Sequence, residues 1–190
     1  MKSLLLAACM CAAFLPGQEF QLGSRVGEFA LKDVKGNPVQ FSTLKGNVTV
    51  IAFIATQCPV SNAYNDRIKA LYNDYASKGV KFVFVNSNRT EPAPDVARHA
   101  QEHAFPFAVY KDENNAVADR FGATVTPETF VLDSAGAIRY HGSIDDSQEI
   151  TRVQAQRLRG ALDAVLAGRA VENAETKAFG CTIKRVKKES

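Results

Sequence analysis

Apolar and polar positions change period along this chain, and each change marks an element. Residues 48–54 are apolar almost throughout and rich in β-branched side chains. A run of this kind suits a strand buried on both faces of a central sheet. From Cys58 onward the pattern shifts to helical spacing, with Ala63, Ile68, Leu71, Tyr72 and Tyr75 on one side and Gly79 as a stop. This predicts a helix over 58–79, with Pro59 in the first turn, where its missing N–H has no partner to lose. Residues 80–85 read as a second apolar strand, and 92–103 as a helix closed by Phe105 and Pro106. A short strand at 107–110 and a short helix at 116–121 follow. Strands at 129–132 and 138–141 are joined by a turn with Gly136. A long amphipathic helix is predicted over 148–166, with Ile150, Val153, Leu158, Leu162 and Val165 on its apolar side.

Ahead of these elements, short alternating runs around Gly36, Asn37 and Pro38 predict a β-hairpin within 26–44. Beyond Gly168 periodicity fades until Cys181. The order is hairpin, strand–helix–strand–helix, then strand–strand–helix. It predicts an α/β class fold with a central mixed β-sheet flanked by helices, an N-terminal β-hairpin and a C-terminal tail.

The N-terminus changes the expected location. Lys2 precedes an apolar stretch over 4–15, too short to span a bilayer, and small residues (Ala12, Ala13, Gly17) precede polar Gln18 and Glu19. This reads as a secretory signal peptide over 1–17, cleaved after Ala13 or Gly17. Residues 6–9 also match a lipoprotein cleavage box, although Cys9 stands early for a full apolar core before it. The organisation expected is thus a leader over 1–17, one domain over 24–168 and an extension over 169–190 carrying Cys181. The mature protein would be periplasmic or extracellular, with no stable membrane span.

Removing the leader removes Cys9 and Cys11 and leaves Cys58 and Cys181. Two distant cysteines in an exported chain invite a disulfide. A redox-active pair, a permanent structural bond and two separate thiols all remain open at this point. The formal charge of +3 resides largely in Lys184, Arg185, Lys187 and Lys188, read as a solvated, frayed terminus. No basic patch interleaved with aromatics suggests nucleic acid, and no cofactor is expected.

Cys58 is the candidate that carries chemistry. It stands where a buried strand gives way to a helix, followed by proline. The first N–H groups of a helix lack internal partners and carry partial positive charge, which favours a thiolate over a thiol. The bland alternative is an inert, buried cysteine.

The stretch from Ala55 to Ser61, centred on Cys58 and Pro59, resembles the active-site corner of thioredoxin-like proteins. Thr126, Pro127 and Glu128 look like the family's cis-proline loop. Residues 26–44 resemble the alkyl hydroperoxide reductase/thiol-specific antioxidant (redoxin) branch. Residues 140–146 and 175–184 are similar to closing segments of peroxiredoxin-like proteins in that branch. The resemblance implies a thioredoxin-like fold and a thiol-dependent oxidoreductase. Cys58 would be the nucleophile, and Pro59, Thr126 and Pro127 would form the substrate groove. The substrate would be a peroxide or a thiol/disulfide, with an external thiol as reductant. Two departures stand out. Ser61 occupies the place of the second cysteine of a C-x-x-C pair, and Ala55 occupies the place of the threonine that helps bind peroxide in peroxiredoxins. Cys181 is the candidate to resolve a sulfenate or mixed disulfide on Cys58.

Other constellations carry less. His99 and His103 complete an H-x-x-E-H pattern, read as a solvated helix face. A soft-metal (copper) site on Cys58, Cys181 and His141 is the rival function, together with a non-catalytic thiol-binding scaffold; no residue is assigned as a metal ligand. Asn62 is placed to hydrogen-bond near the sulfur, Arg89 is read as a loop arginine, and Asp145 with Asp146 as charge at a helix start.

Overall fold

A computed structural model describes residues 19–187 of the chain; the leader predicted over 1–17 lies outside them. Among the described residues nine strands form: β1 (Ala30–Lys32), β2 (Pro38–Gln40), β3 (Val48–Phe53), β4 (Val80–Asn86), β5 (Val109–Lys111), β6 (Val125–Thr126), β7 (Glu128–Leu132), β8 (Ile138–Gly142) and β9 (Cys181–Thr182). Seven of them make one sheet in the order β2-β1-β5-β4-β3-β7-β8, and β6 pairs with β9 separately. β3 runs parallel to β4 and antiparallel to β7, so the sheet is mixed as predicted. The hairpin of β1 and β2 joins its edge through Lys32 opposite Lys111.

The period of two along β3 and β4 divides the core. Val50, Ala52 and Phe84 face helices α2 (Asn65–Ala76) and α5 (Arg157–Leu166), meeting Ile68, Leu71, Tyr75, Leu158 and Leu162. Ile51, Phe53, Val83 and Val85 face the other way, onto Phe20, Phe29, Phe41 and helix α4 (Ala116–Phe121). Every residue of β3 is buried, which is why its sequence is apolar without alternation. Each large apolar side chain sealed here contributes about 1.5–3 kcal/mol. Among the described residues no helix is long and apolar enough to cross a membrane.

Three expectations are corrected. The helix predicted over 58–79 is two: α1 (Pro59–Asn62) and α2, separated at Ala63 and Tyr64. A tighter turn there, Tyr64 N–H to Ser61 O, accompanies full burial of Tyr64, whose hydroxyl donates to Ser147 O at 2.8 Å. The helix predicted over 148–166 begins only at Arg157; Ile150 stands 68% exposed in a short 3-10 turn and Val153 is extended. Asp146 decides this. Its carboxylate accepts the Gln154 N–H and its own N–H donates to Ala155 O, and such local bonds compete with a helix. Asp145 and Asp146 are therefore not charge at a helix start. Asp145 is buried on Arg67, at 2.7 Å.

The tail is the third correction. It is no frayed terminus over its described part. Residues Ala174 and Thr176 hydrogen-bond to His141 of β8, and the chain then crosses to β6. Ile183 is buried in the second core cluster, and Arg185 donates to Asp119 at 2.8 Å and to Ala123 O.

Candidate active site

Cys58 sits at the end of the loop leaving β3 and is the N-cap of α1, with extended backbone and Pro59 opening the helix. Its sulfur accepts the Ser61 N–H at 3.3 Å. An N-terminal donor of a helix, otherwise without a partner, thus points at the sulfur and favours negative charge on it. The sulfur also lies 3.4 Å from the Thr126 carbonyl oxygen. Cys58 is 3% exposed, whereas Cys181 is half-buried.

Cys58 and Cys181 are joined in a disulfide across 123 residues, with Cα atoms 5.8 Å apart, inside the usual range for such a bond. Of the alternatives left open by the sequence, the two separate thiols are thereby excluded. What brings Cys181 there is backbone pairing: β9 lies antiparallel on β6, with Cys181 opposite Thr126 and Thr182 opposite Val125. The Ile183 N–H continues the ladder to Thr124 O at 2.9 Å. The Thr126–Pro127 peptide is cis, as the resemblance implies. Gly180 makes the close approach feasible. Its φ is +154°, and a Cβ there would collide with the Thr126 carbonyl.

The loop before Cys58 is held on every side. Ser61, where a second nearby cysteine would stand, accepts the Ala55 N–H at 3.0 Å through its buried hydroxyl. Asn62 does not address the sulfur. Its amide donates to Thr56 O at 2.9 Å, and its oxygen lies 3.0 Å from His99 Nε2. The helix that carries His99, α3 (Ala93–Glu102), therefore does more than present a solvated face. Burial first, and the neighbouring His103 second, hold His99 below the usual imidazole pKa.

Sequence reading missed Glu91. Only 2% exposed, it accepts the backbone N–H groups of Thr56 (2.7 Å) and Gln57 (3.2 Å), together with the side-chain amides of Asn86 (2.5 Å) and Asn88 (2.9 Å). Nothing in its spacing marks it, because the loop it holds, at Thr56 and Gln57, lies more than thirty positions earlier. Glu128, next to Pro127, plays a matching part on the other side. It accepts the Thr124 and Val125 N–H groups and binds His141 Nε2 at 2.7 Å. His141 also stacks on Phe130 and lies 3.7 Å from Glu175. Among the described residues no group of three or more His, Cys, Asp and Glu side chains is arranged to hold a metal ion. The side chain of Arg89 is exposed, but its backbone N–H donates to Lys184 O at 2.9 Å and so joins the tail.

The chain is similar over nearly its whole length to two solved structures. One, from Geobacillus kaustophilus and described only as an uncharacterized conserved protein, is 33% identical with a TM-score of 0.83, covering 92% of this chain and 97% of the other. The second, a hypothetical protein from Sinorhizobium meliloti 1021, is 30% identical with a TM-score of 0.80, covering 90% and 97%. The thiol-disulfide oxidoreductase ResA of Halalkalibacterium halodurans is 28% identical over 116 residues, which span 61% of this chain and 65% of that protein. The AhpC/TSA family model matches residues 22–141, a stretch that holds Cys58 and the cis-proline loop and ends before Cys181. With more than half of its length matched in this way, and the strand-to-helix cysteine and mixed sheet expected of such a fold in place, the chain belongs to the AhpC/TSA family.

Proposed function

We propose that this chain is an exported thiol–disulfide oxidoreductase whose working pair is Cys58 and Cys181. The observation that carries the reading is the bond between them at the N-terminus of α1, beside the Thr126 carbonyl. In the reduced protein the Cys58 thiolate, stabilised by the Ser61 N–H, attacks a substrate disulfide. One sulfur of the substrate leaves as a thiolate and the other remains on Cys58. The Cys181 thiolate then attacks Cys58, releasing the second substrate thiol and closing the protein disulfide. Two external thiols reopen it and leave as their own disulfide. Resemblance to ResA supports exchange chemistry, and the apolar leader supports export.

The substrate proposed is small. β9 occupies the edge of β6, so an extended peptide has no free backbone there to pair with. A second reading, peroxide reduction, is favoured by the AhpC/TSA match. The Cys58 thiolate would take one oxygen from the peroxide, becoming a sulfenic acid and releasing an alcohol or water. Cys181 would then expel water as the disulfide forms.

The test is to offer the reduced protein either oxidised glutathione or hydrogen peroxide, quench with acid, and map cysteines by mass spectrometry. Fast closure of the Cys58–Cys181 bond with glutathione supports exchange, and fast closure only with peroxide transfers the assignment to peroxidase. A bond that forms with neither reagent refutes both.

A further inference from the structure

The two sulfur-bearing segments are far apart in sequence and belong to different secondary-structure units, yet one polar cluster touches both. Glu91 holds the Thr56 and Gln57 N–H groups, one and two residues before Cys58. Asn88 donates its amide to Glu91 and accepts, through its side-chain oxygen, the backbone N–H of Lys184 at 2.6 Å. Lys184 stands three residues after Cys181, and its carbonyl is taken by the Arg89 N–H. The Asn88–Arg89 turn therefore binds both backbone groups of Lys184.

The cluster is rigid from below. Lys111 spends three N–H groups on it, to Asn86 Oδ1 (2.6 Å), Glu91 O (2.7 Å) and Asn88 O (3.1 Å). Asn86 and Asn88 are almost wholly buried, as is Glu91. Four N–H donors converge on one carboxylate, the arrangement that suits its ionised, acceptor-only form. Charge-assisted bonds of this kind are about twice as strong as neutral ones, and a buried network with its partners satisfied favours a single geometry.

Resting on the oxidoreductase reading, we propose that Glu91 and Asn88 are positioning residues for the exchange reaction: together they hold the Cys58 loop and the Cys181 strand in register, and so set how readily the disulfide closes. Neither residue touches the reacting sulfurs. They act by raising the effective concentration of one thiol beside the other, since two groups held in a reactive geometry close faster and more completely than two on loose segments. Other tail contacts, among them those of Ile183, Arg185 and Val186, hold the tail to the domain but do not reach the loop before Cys58.

The experiment equilibrates the full chain with glutathione buffers of varied ratio. In each turnover the protein dithiol reduces one oxidised glutathione: its S–S bond breaks, the Cys58–Cys181 bond forms, and both protons leave on two glutathione thiols. After acid quenching, peptide mapping reads Cys58 and Cys181 separately from Cys9 and Cys11. Glu91→Gln turns an N–H donor toward Thr56 or Gln57, and Asn88→Ala removes the Lys184 acceptor. Each is expected to lower the disulfide equilibrium constant at least about tenfold, which is about 30 mV for a two-electron couple. Thermal unfolding of each variant in both redox states separates positioning from plain scaffolding. A scaffolding role lowers the stability of both states alike and leaves the equilibrium constant at the wild-type value, and that result overturns the proposal. If Glu91→Gln does not fold, Asn88→Ala, which leaves Glu91 on Thr56, Gln57 and Asn86, carries the test alone. Failure of the wild-type chain to form the bond in any buffer refutes the oxidoreductase reading itself, whereas a normal wild-type bond with unchanged variants refutes only the positioning role.

Discussion

Gly180 is the place where a single methyl group tests the pairing of the two cysteines. In Gly180→Ala the new Cβ would overlap the Thr126 carbonyl oxygen and lie 2.7 Å from its carbon and 3.3 Å from Pro127 N. All three are backbone atoms, so no side chain can swing aside. The φ of +154° is also a region that L side chains rarely adopt. Overpacking and backbone strain each cost about 1–3 kcal/mol. The strain arises only where β9 is docked against β6, and the disulfide demands that docking. In the dithiol form no covalent bond fixes Gly180 against Thr126, and the local backbone can ease away. The cost therefore falls on the oxidised state, and even about 2 kcal/mol, at 1.4 kcal/mol per tenfold, lowers the disulfide constant by more than about tenfold, or about 40 mV. Equilibration with glutathione and mass mapping of Cys58 and Cys181 measures it. A disulfide constant equal to wild type in a folded Gly180→Ala protein would refute the claim that β9 must lie against Thr126 for the bond to form.

Ser61→Ala leaves the buried Ala55 N–H without its acceptor, so chemical denaturation should show a loss of about 1–3 kcal/mol, with slower alkylation-detected closure of the disulfide; an unchanged midpoint would contradict the role given to the hydroxyl. Leu162→Ala empties a fully buried site between α5 and the sheet and should cost about 2–5 kcal/mol by the same assay, while leaving the disulfide constant of the folded protein alone. Acidification should weaken the fold through His99. Because burial and His103 lower its native pKa, the unfolded chain takes up a proton below the ordinary value of 6.5 while the native chain does not. The stability present above that pH is lost as pH falls from 6.5 toward the lowered native value. Denaturation midpoints measured across about pH 5 to 7 should drop in the wild type and flatten in His99→Gln; equal slopes in the two proteins would remove His99 as the cause.

Much of the fold was legible because local physics dictates it. A fully apolar β-branched run could only be the interior strand β3, and the turn residues around Gly36 and Gly136 fixed both hairpins. The reading failed where other hydrogen-bond partners and burial outbid the helical period. Asp146 capturing Gln154 unwinds residues that otherwise carry an amphipathic pattern, and burial of Tyr64 interrupts a helix whose apolar positions run on unbroken. The basic tail looked solvated because its anchors, Asp119 and the Asn88 side chain, lie far upstream.

The site divides along the same line. Cys58 before Pro59, at the end of an apolar strand, was visible from sequence because helix-start chemistry is local: the N-cap and its donor, Ser61, lie within one turn. The candidate groove residues Thr126 and Pro127 followed from resemblance. The pairing of Cys58 with Cys181 did not follow from either, since closing a loop of 123 positions depends on where β9 lies and not on any spacing. Glu91 was invisible for the same reason. A lone glutamate after a polar turn reads as solvated, and only the folded chain brings four N–H donors around it and removes the water. Sequence by itself determined most of the elements, the class of sheet and the candidate nucleophile, all products of nearest-neighbour geometry. Tertiary structure alone decided that the two sulfurs meet and what holds them together, because those contacts are made between segments that share no local period.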